Sequence, residues 1–478
     1  MLIRFYFGGF LMISFCLLLS CATLKEANME GVNNRPIMLH PDNPHYLLFR
    51  GKPTVLITSA EHYGAVLNLD FDYIKYLDTL HSYGFNLTRM FSGIYVESPT
   101  SFSITNNTLA PAPERFICPW ARSSEPGYAN GGNKFDLNKW DDNYFKRLKD
   151  FISQASKRGI VVEVVLFCPY YGDEQWNLSP IKISNNVNGI GDIARTDAFT
   201  MKDSKVLSVQ EAMVRKIVNE LKDFDNIYYE ICNEPYFGGV TLEWQYHIAS
   251  IIDDAEKDFP YKHLIAQNIA NGSAKIENPN PLVSIFNFHY ATPPVTVEMN
   301  YGLNKVISDD ETGFRGTNDT PYRTEGWEFI IAGGGIYNNL DYSYTVGHED
   351  GTFILPSTQP GGGSISLHKQ LKILKDFIHS FNFINMKPDN SIIKKVTPSE
   401  ITVRALIETG KAYALYIKGG TKAELILDIP KGNYKIEWLN TLTGIIESKF
   451  TVDHHGGEIK LTSPEYIEDI ALRIESER

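Results

Sequence analysis

From Pro53 to about Asn385 short apolar runs alternate with amphipathic helical stretches, and this alternation constrains the fold more than any other feature of the chain. Pro53-Thr-Val-Leu-Ile-Thr-Ser59 is a first buried strand. Phe71 to Tyr83 has helical spacing, with Ile74, Leu77 and Leu80 on one side and Gly84 as its stop. Asn86 to Phe91 is a second strand. A helix over Asn143 to Arg158, ended by Gly159, leads to a third strand, Ile160 to Phe167, apolar throughout except for Glu163. A long amphipathic helix, Val206 to Phe224, precedes strand four, Asn226-Ile-Tyr-Tyr-Glu-Ile-Cys-Asn233. Strands follow at His263–Gln267, Val283–His289 and Lys305–Asp310, with a weaker eighth around Phe329–Tyr337. Continuous β-branched runs separated by helices mean parallel strands covered on both faces. Eight of them in roughly 330 residues predict a (β/α)₈ TIM barrel with some long loops.

After Pro388 the period changes. Ile401–Ile407, Ala412–Ile417, Ala423–Ile429 and Tyr434–Leu439 alternate with period two between Gly- or Pro-bearing turns, and Ser448–Val452, Glu458–Leu461 and Ile470–Ile474 continue the series. That pattern predicts a small C-terminal antiparallel β-sandwich, residues 391–478, behind a barrel domain of residues 36–390 that opens with a hairpin. Arg4 and the apolar run Phe5–Leu19 read as a signal peptide over 1–20, too short to span a membrane comfortably. Leu18-Leu-Ser-Cys21 resembles a bacterial lipobox, so Cys21 is the expected lipidation site, followed by a tether to residue 35. The expectation is an exported protein, lipid-anchored to a bacterial membrane on its periplasmic side or at the cell surface, with a soluble, monomeric body.

A net charge of −12 argues against a nucleic-acid partner, which needs a basic face. Cys118, Cys168 and Cys232 are the cysteines of the body. Their odd count excludes a fully paired framework, and inert core thiols are expected, although Cys168 and Cys232 end neighbouring strands. With no CxxC and no HExxH, neither a metal nor an organic cofactor is expected.

The chemistry gathers at strand ends. Asn233-Glu234-Pro235 puts a carboxylate at the tip of a buried strand, where desolvation makes it a poor choice for stability. At the C-terminal mouth of a barrel, such a residue reads as catalytic. Strand seven ends in Ser-Asp-Asp-Glu311-Thr-Gly313. Strands four and seven can face their carboxylates across the mouth, as a pair of glycosidase acids requires. The loops Ser92–Trp140, Pro169–Lys205 and Thr312–Gly363 are expected on the same face. They carry Trp120, Tyr170, Tyr171, Trp176 and Trp327, candidate platforms for sugar rings. His62 and Tyr63, just past strand one, are candidate rim contacts.

These marks resemble a clan A glycoside hydrolase of the cellulase, family 5-like branch: Asn233-Glu234-Pro235, Glu311 before Thr-Gly, Arg89 in strand two, and His289-Tyr290 at strand six. The resemblance implies Glu234 as general acid/base and Glu311 as nucleophile of a retaining glycosidase that cleaves β-linked poly- or oligosaccharide. It implies Asn233 on the sugar 2-hydroxyl, Arg89 beneath the nucleophile, and Tyr290 or His289 orienting the nucleophile or binding sugar. Arg89 alone also fits a plain barrel salt bridge, and His289 a core histidine. The usual strand-eight Trp of the clan is not evident; Tyr337 or Asn338 stand there, with Trp327 just before. Burial and the Glu311 charge are expected to raise the pKa of Glu234. A non-catalytic surface glycan-binding protein on the same scaffold is the rival reading. A metal-dependent hydrolase would need clustered His and Asp ligands, from which His62 and His289 stand apart.

Overall fold

The computed structural model describes residues 35–477, so the leader and Cys21 lie outside the described residues. Eight parallel strands form the barrel: β1 Leu56–Ala60, β2 Leu87–Phe91, β3 Val161–Phe167, β4 Ile227–Cys232, β5 Ile265–Asn271, β6 Ile285–His289, β7 Val306–Thr312 and β8 Ile336–Leu340. From β2 to β8 each strand pairs with the next in sequence, and β8 returns to β1. The seam between β1 and β2 is closed by a side chain. Asn86 donates to the Val55 carbonyl (3.0 Å) and accepts from the Ile57 amide (2.9 Å), replacing a ladder.

The outer layer follows the caps written in the sequence. Helix α1, Tyr73–Ser82, starts on Asp72, whose side chain accepts from the amides of Ile74 and Lys75, and ends before Gly84 at φ +73°. Helix α2, Asp142–Lys157, is capped by Asp141 in the same way. Then come α3 Ser204–Leu221, α4 Leu242–Ala255, the short α5 Val295–Asn300, α6 Asp319–Ile331 and α7 Ile365–His379. No helix separates β5 from β6; residues 272–284 cross as a loop.

The eighth strand lies later than the sequence pattern placed it. Phe329 to Ile331 close helix α6, and the strand is Ile336-Tyr-Asn-Asn-Leu340. The cause is that α6 is buried along almost its whole length, so it lacks the polar face that marks a surface helix and reads as an apolar run. The supposed loop from Thr312 to Gly363 therefore contains both α6 and β8.

Inside, the barrel is apolar at the bottom and charged at the top. Leu56, Leu87, Val161, Ile285, Val306 and Ile336 form a bottom layer, plugged from below by Leu47 and Phe49 of a three-stranded N-terminal sheet. Arg89, Glu163, Glu230 and Asp310, all fully buried, stand above it. The C-terminal sandwich has a six-stranded and a three-stranded antiparallel sheet. It packs on α6: Trp327 stacks on Tyr416 (centroids 5.5 Å apart), and Arg323 pairs with Asp469 (2.6 Å). Among the described residues, no helix is long and apolar enough to cross a membrane.

Candidate active site

A β-bulge decides which strand-seven acids meet the site. Phe288 of β6 lies opposite Asp309, but His289 lies opposite Glu311, so one residue of β7 is extra. Strict alternation would send Asp309 and Glu311 to the same side. Instead Asp309 faces outward, accepting from the Ala291 amide near Glu325 of α6, while Asp310 and Glu311 both reach the interior. Of the three acids in the cluster, Glu311 is the one that lines the cavity.

Glu234 follows β4 with its backbone in the left-handed region, φ +36°. Its Oε2 accepts from the Tyr171 hydroxyl (2.6 Å) and its Oε1 from Tyr236 (3.3 Å). Across from it, Glu311 Oε1 accepts from the Tyr290 hydroxyl (2.7 Å), and its Oε2 from Arg89 Nη1 (3.2 Å). His289 lies between them, its Nδ1 at 3.3 Å from Glu234 and 3.6 Å from Glu311. Ligand-type atoms of Glu234, His289 and Glu311 all fall within 4.8 Å of one another. The two carboxyl groups thus face each other across the imidazole.

Arg89 is the hub. Besides Glu311 it donates to Asn233 Oδ1 (3.0 Å) and to Glu230, and its Nε lies 3.2 Å from Glu163 and 3.3 Å from Asp310. Its guanidinium covers the Tyr63 ring at 4.5 Å. One cation serves four buried carboxylates, so they cannot all be charged. Burial, then the charge of Asp310, holds Glu163 well above the usual carboxylate range, and burial lifts Asp310 to about 7. Glu163, Glu230 and Asp310 also form a cluster of metal-ligand type, but Arg89 already supplies its positive charge.

Glu234 departs from expectation. Burial pushes it up, yet the hydrogen bond and charge of His289, with the Tyr171 hydroxyl and Asn271, outweigh burial and bring it down to about 2. Burial likewise lowers His289, but the Glu311 charge and the Glu234 hydrogen bond raise it to about 9. The proton therefore rests on the imidazole beside Glu234. The expectation of a raised Glu234 left out this cation, which sits closer to Glu234 than any surrounding apolar wall can offset.

The cavity over these groups has an empty volume of about 370 Å³ and is lined by His62, Asn233, Glu234, Tyr290 and Glu311, among others. Asn233 donates to the Tyr171 hydroxyl (3.1 Å) while accepting from Arg89, which fixes its amide. None of the three candidate tryptophans lines the cavity, and Trp120 is fully buried. Trp327 is fully buried on α6 between Phe377 and Tyr416, because the sandwich covers that helix. Trp176, on a one-turn helix of the β3 loop, packs on Tyr170 (4.9 Å) and does not line the cavity. Of the two strand-eight candidates, Tyr337 turns outward to the Tyr322 carbonyl (2.6 Å), and Asn338 turns inward to the Asp310 carbonyl (2.9 Å). The cavity's aromatic walls are Tyr63, Phe91, Tyr95, Phe102, Tyr171 and Phe314.

Sequence reasoning missed Glu97, Phe102 and Phe314, which sit in loops without pattern. Glu230 had a legible signal: like Glu163, it is an acid interrupting a buried strand. Cys118, Cys168 and Cys232 are free and buried, with the Cys168 and Cys232 thiols pushed well up by burial, as inert core thiols should be.

Residues 76–293 match the family model of cellulase, glycosyl hydrolase family 5. No curated protein matches the sequence. Among solved structures, the chain is similar to a glycoside hydrolase at 16% identity, covering 93% of this chain and 97% of that one, with a TM-score of 0.63. A glycoside hydrolase family 5 structure from Bacteroides vulgatus ATCC 8482 is similar at 15% identity, covering 93% and 94%, also with a TM-score of 0.63. The fold is thus that of glycoside hydrolase structures, with a family 5-like segment at the heart of the barrel.

Proposed function

We propose that the protein is a retaining glycoside hydrolase that cleaves β-glycosidic bonds in a poly- or oligosaccharide by double displacement. The observation that carries this is the pair Glu234 and Glu311, bridged by one imidazole within 4.8 Å at the mouth of a parallel barrel. Glu311, aimed by Tyr290 and Arg89, attacks the anomeric carbon as the bond to the leaving oxygen breaks. Glu234 delivers a proton to that oxygen. Its source is the proton shared with His289, whose move onto Glu234 converts an ion pair into a neutral pair. Once the glycosyl–Glu311 ester forms, the Glu311 charge, the largest attraction holding a proton on His289, is gone. Glu234 then takes a proton from water, which attacks the ester and releases the sugar with retained configuration. Asn233 is placed to meet the sugar 2-hydroxyl. Export and a lipid anchor at Cys21 belong to the same proposal, with a soluble, monomeric body; Cys21→Ala should release the protein from membranes.

The test is a pair of variants assayed on aryl β-glycosides. Glu311→Ala should lose about four to six orders of magnitude in kcat. Glu234→Ala should lose about 10²–10⁴-fold, least on substrates with good leaving groups, and azide should restore turnover by yielding the β-glycosyl azide. Near-normal turnover by Glu311→Ala would sink the assignment.

A further inference from the structure

The catalytic cavity is walled at one end and bridged at its mouth. The wall is an ion pair off the barrel: His62, past β1, and Glu97, in the loop after β2, with Nε2 3.2 Å from Oε2. Both are buried and both line the cavity. Glu97 also accepts from the Tyr95 hydroxyl (2.8 Å) and from the Asn107 amide, so its carboxylate is held rigidly with lone-pair capacity left over. His62 Nδ1 has no hydrogen-bond partner among the described residues. Neither residue touches Glu234 or Glu311, and the double displacement uses neither.

The bridge is aromatic. Phe102, from the loop after β2, meets Phe314, from the loop after β7, with ring centroids 6.4 Å apart, and meets Tyr171 of the β3 loop at 5.4 Å. Both phenylalanines hold φ +54°, a conformation bulky side chains rarely take, and both stay about two-fifths exposed. Three loops are thus tied across the face where a polysaccharide groove would have to run open.

The chemistry gives these features an orientation. Glu234 protonates the leaving oxygen, so the leaving group extends to the Glu234 side, toward Tyr171 and Tyr236. The sugar attacked by Glu311 therefore has its far, non-reducing end toward His62, which follows β1, two strands from the Glu311 strand β7 and three from the Glu234 strand β4. His62, Glu97, Phe102 and Phe314 all line the same cavity as Glu234 and Glu311. Resting on the acid/base and nucleophile roles proposed above, we infer that the cavity accepts one terminal sugar, so that the enzyme is exo-acting from the non-reducing end, with the His62–Glu97 pair holding that sugar's terminal hydroxyls.

The full chain is tested on a panel of β-linked oligosaccharides, each paired with the same oligosaccharide blocked at its non-reducing hydroxyls by methylation, and on aryl β-monoglycosides. The expected result is release of single sugars from the free ends, turnover of a monoglycoside, and no cleavage of the blocked partners. Glu97→Gln should lower kcat/KM for the preferred monoglycoside at least about tenfold, yet hardly change it for the analogue lacking the contacted hydroxyl, because only the former loses a hydrogen bond. Misfolding would depress both alike; His62→Gln gives a second test of the same ratio. Internal cleavage of blocked chains, or equal losses on both monoglycosides in both variants, overturns the exo assignment and leaves the hydrolase reading standing. No turnover of any substrate overturns both.

Discussion

Among the described residues two arginines are buried, and they live in opposite circumstances. Arg323, on α6, meets Asp469 at 2.6 Å, with Glu468 at the edge and the Gln370 amide oxygen at 3.2 Å completing its fork. Arg89, in β2, faces Glu163, Glu230, Asp310 and Glu311 at once. The first is a balanced pair that fastens the sandwich to the barrel. The second is outnumbered, and the surplus of carboxylates can be carried only by holding protons on some of them. A stabilising ion pair seeks balance, because each buried charge without a partner is costly. An excess of buried acid is retained where the chemistry uses it.

Removing each cation is the strongest way to break this comparison. Arg89→Leu should cost about 3–5 kcal/mol in urea unfolding and abolish glycosidase activity even in the folded fraction. Arg323→Leu leaves Asp469 unpaired and should cost a similar about 3–5 kcal/mol, but kcat/KM of the folded enzyme should stay near that of the parent. Comparable activity losses in both would erase the distinction. Trp327→Ala belongs with Arg323: about 3–5 kcal/mol of stability lost with kcat/KM retained, as suits a residue of the brace rather than of the site.

The pH dependence should separate the regions more gently. His289 stands at about 9 against its ordinary 6.5, so the stability it contributes is complete below 6.5 and fades as pH rises through 9. Asp310, lifted from 3.8 to about 7, acts in the same direction over that lower window. Glu234, drawn from 4.5 down to about 2, acts oppositely: its contribution is present above 4.5 and lost as pH falls toward 2. Unfolding free energy measured by denaturant should therefore decline by about 2–3 kcal/mol between neutral pH and pH 9. His289→Gln should flatten that decline, and Arg323→Leu should leave its slope unchanged.

The smallest expected effect is the sharpest in sign. Burial holds Glu163 well above the usual carboxylate range, so Glu163→Gln should change stability at pH 7 by no more than about 1 kcal/mol. Asp469→Asn, which takes the charge from the balanced pair, should cost about 2 kcal/mol or more. The reverse order would mean that the barrel acids are as ionised as the one at the brace.

Much of the site was legible because barrel strands advertise themselves. A buried strand is written as an apolar run, so an acid in it or at its tip is conspicuous; Glu234 and Glu311 stood out this way, Arg89 and His289 through the family resemblance, and the fold brings all four together. Glu163 and Glu230 carried the same signal. The loops carried none. Trp176 and Trp327 looked like sugar platforms because a tryptophan's residue type does not say which side of its loop or helix will be covered. Glu97, Phe102 and Phe314 were silent because contacts between loops depend on distances that no local pattern encodes.

By itself, the sequence determined the first seven barrel strands in order, the sandwich behind the barrel, and two glutamates at separate strand tips. Hydrophobic period and strand ends are local properties, and local properties are written locally. Tertiary structure alone decided that a bulge turns Glu311 rather than Asp309 toward Glu234, and that His289 holds Glu234 low. It also decided that three loops close over the cavity. Each of these depends on the position of one group relative to another far away in the chain. Electrostatics and packing act on that spatial distance, not on separation in sequence.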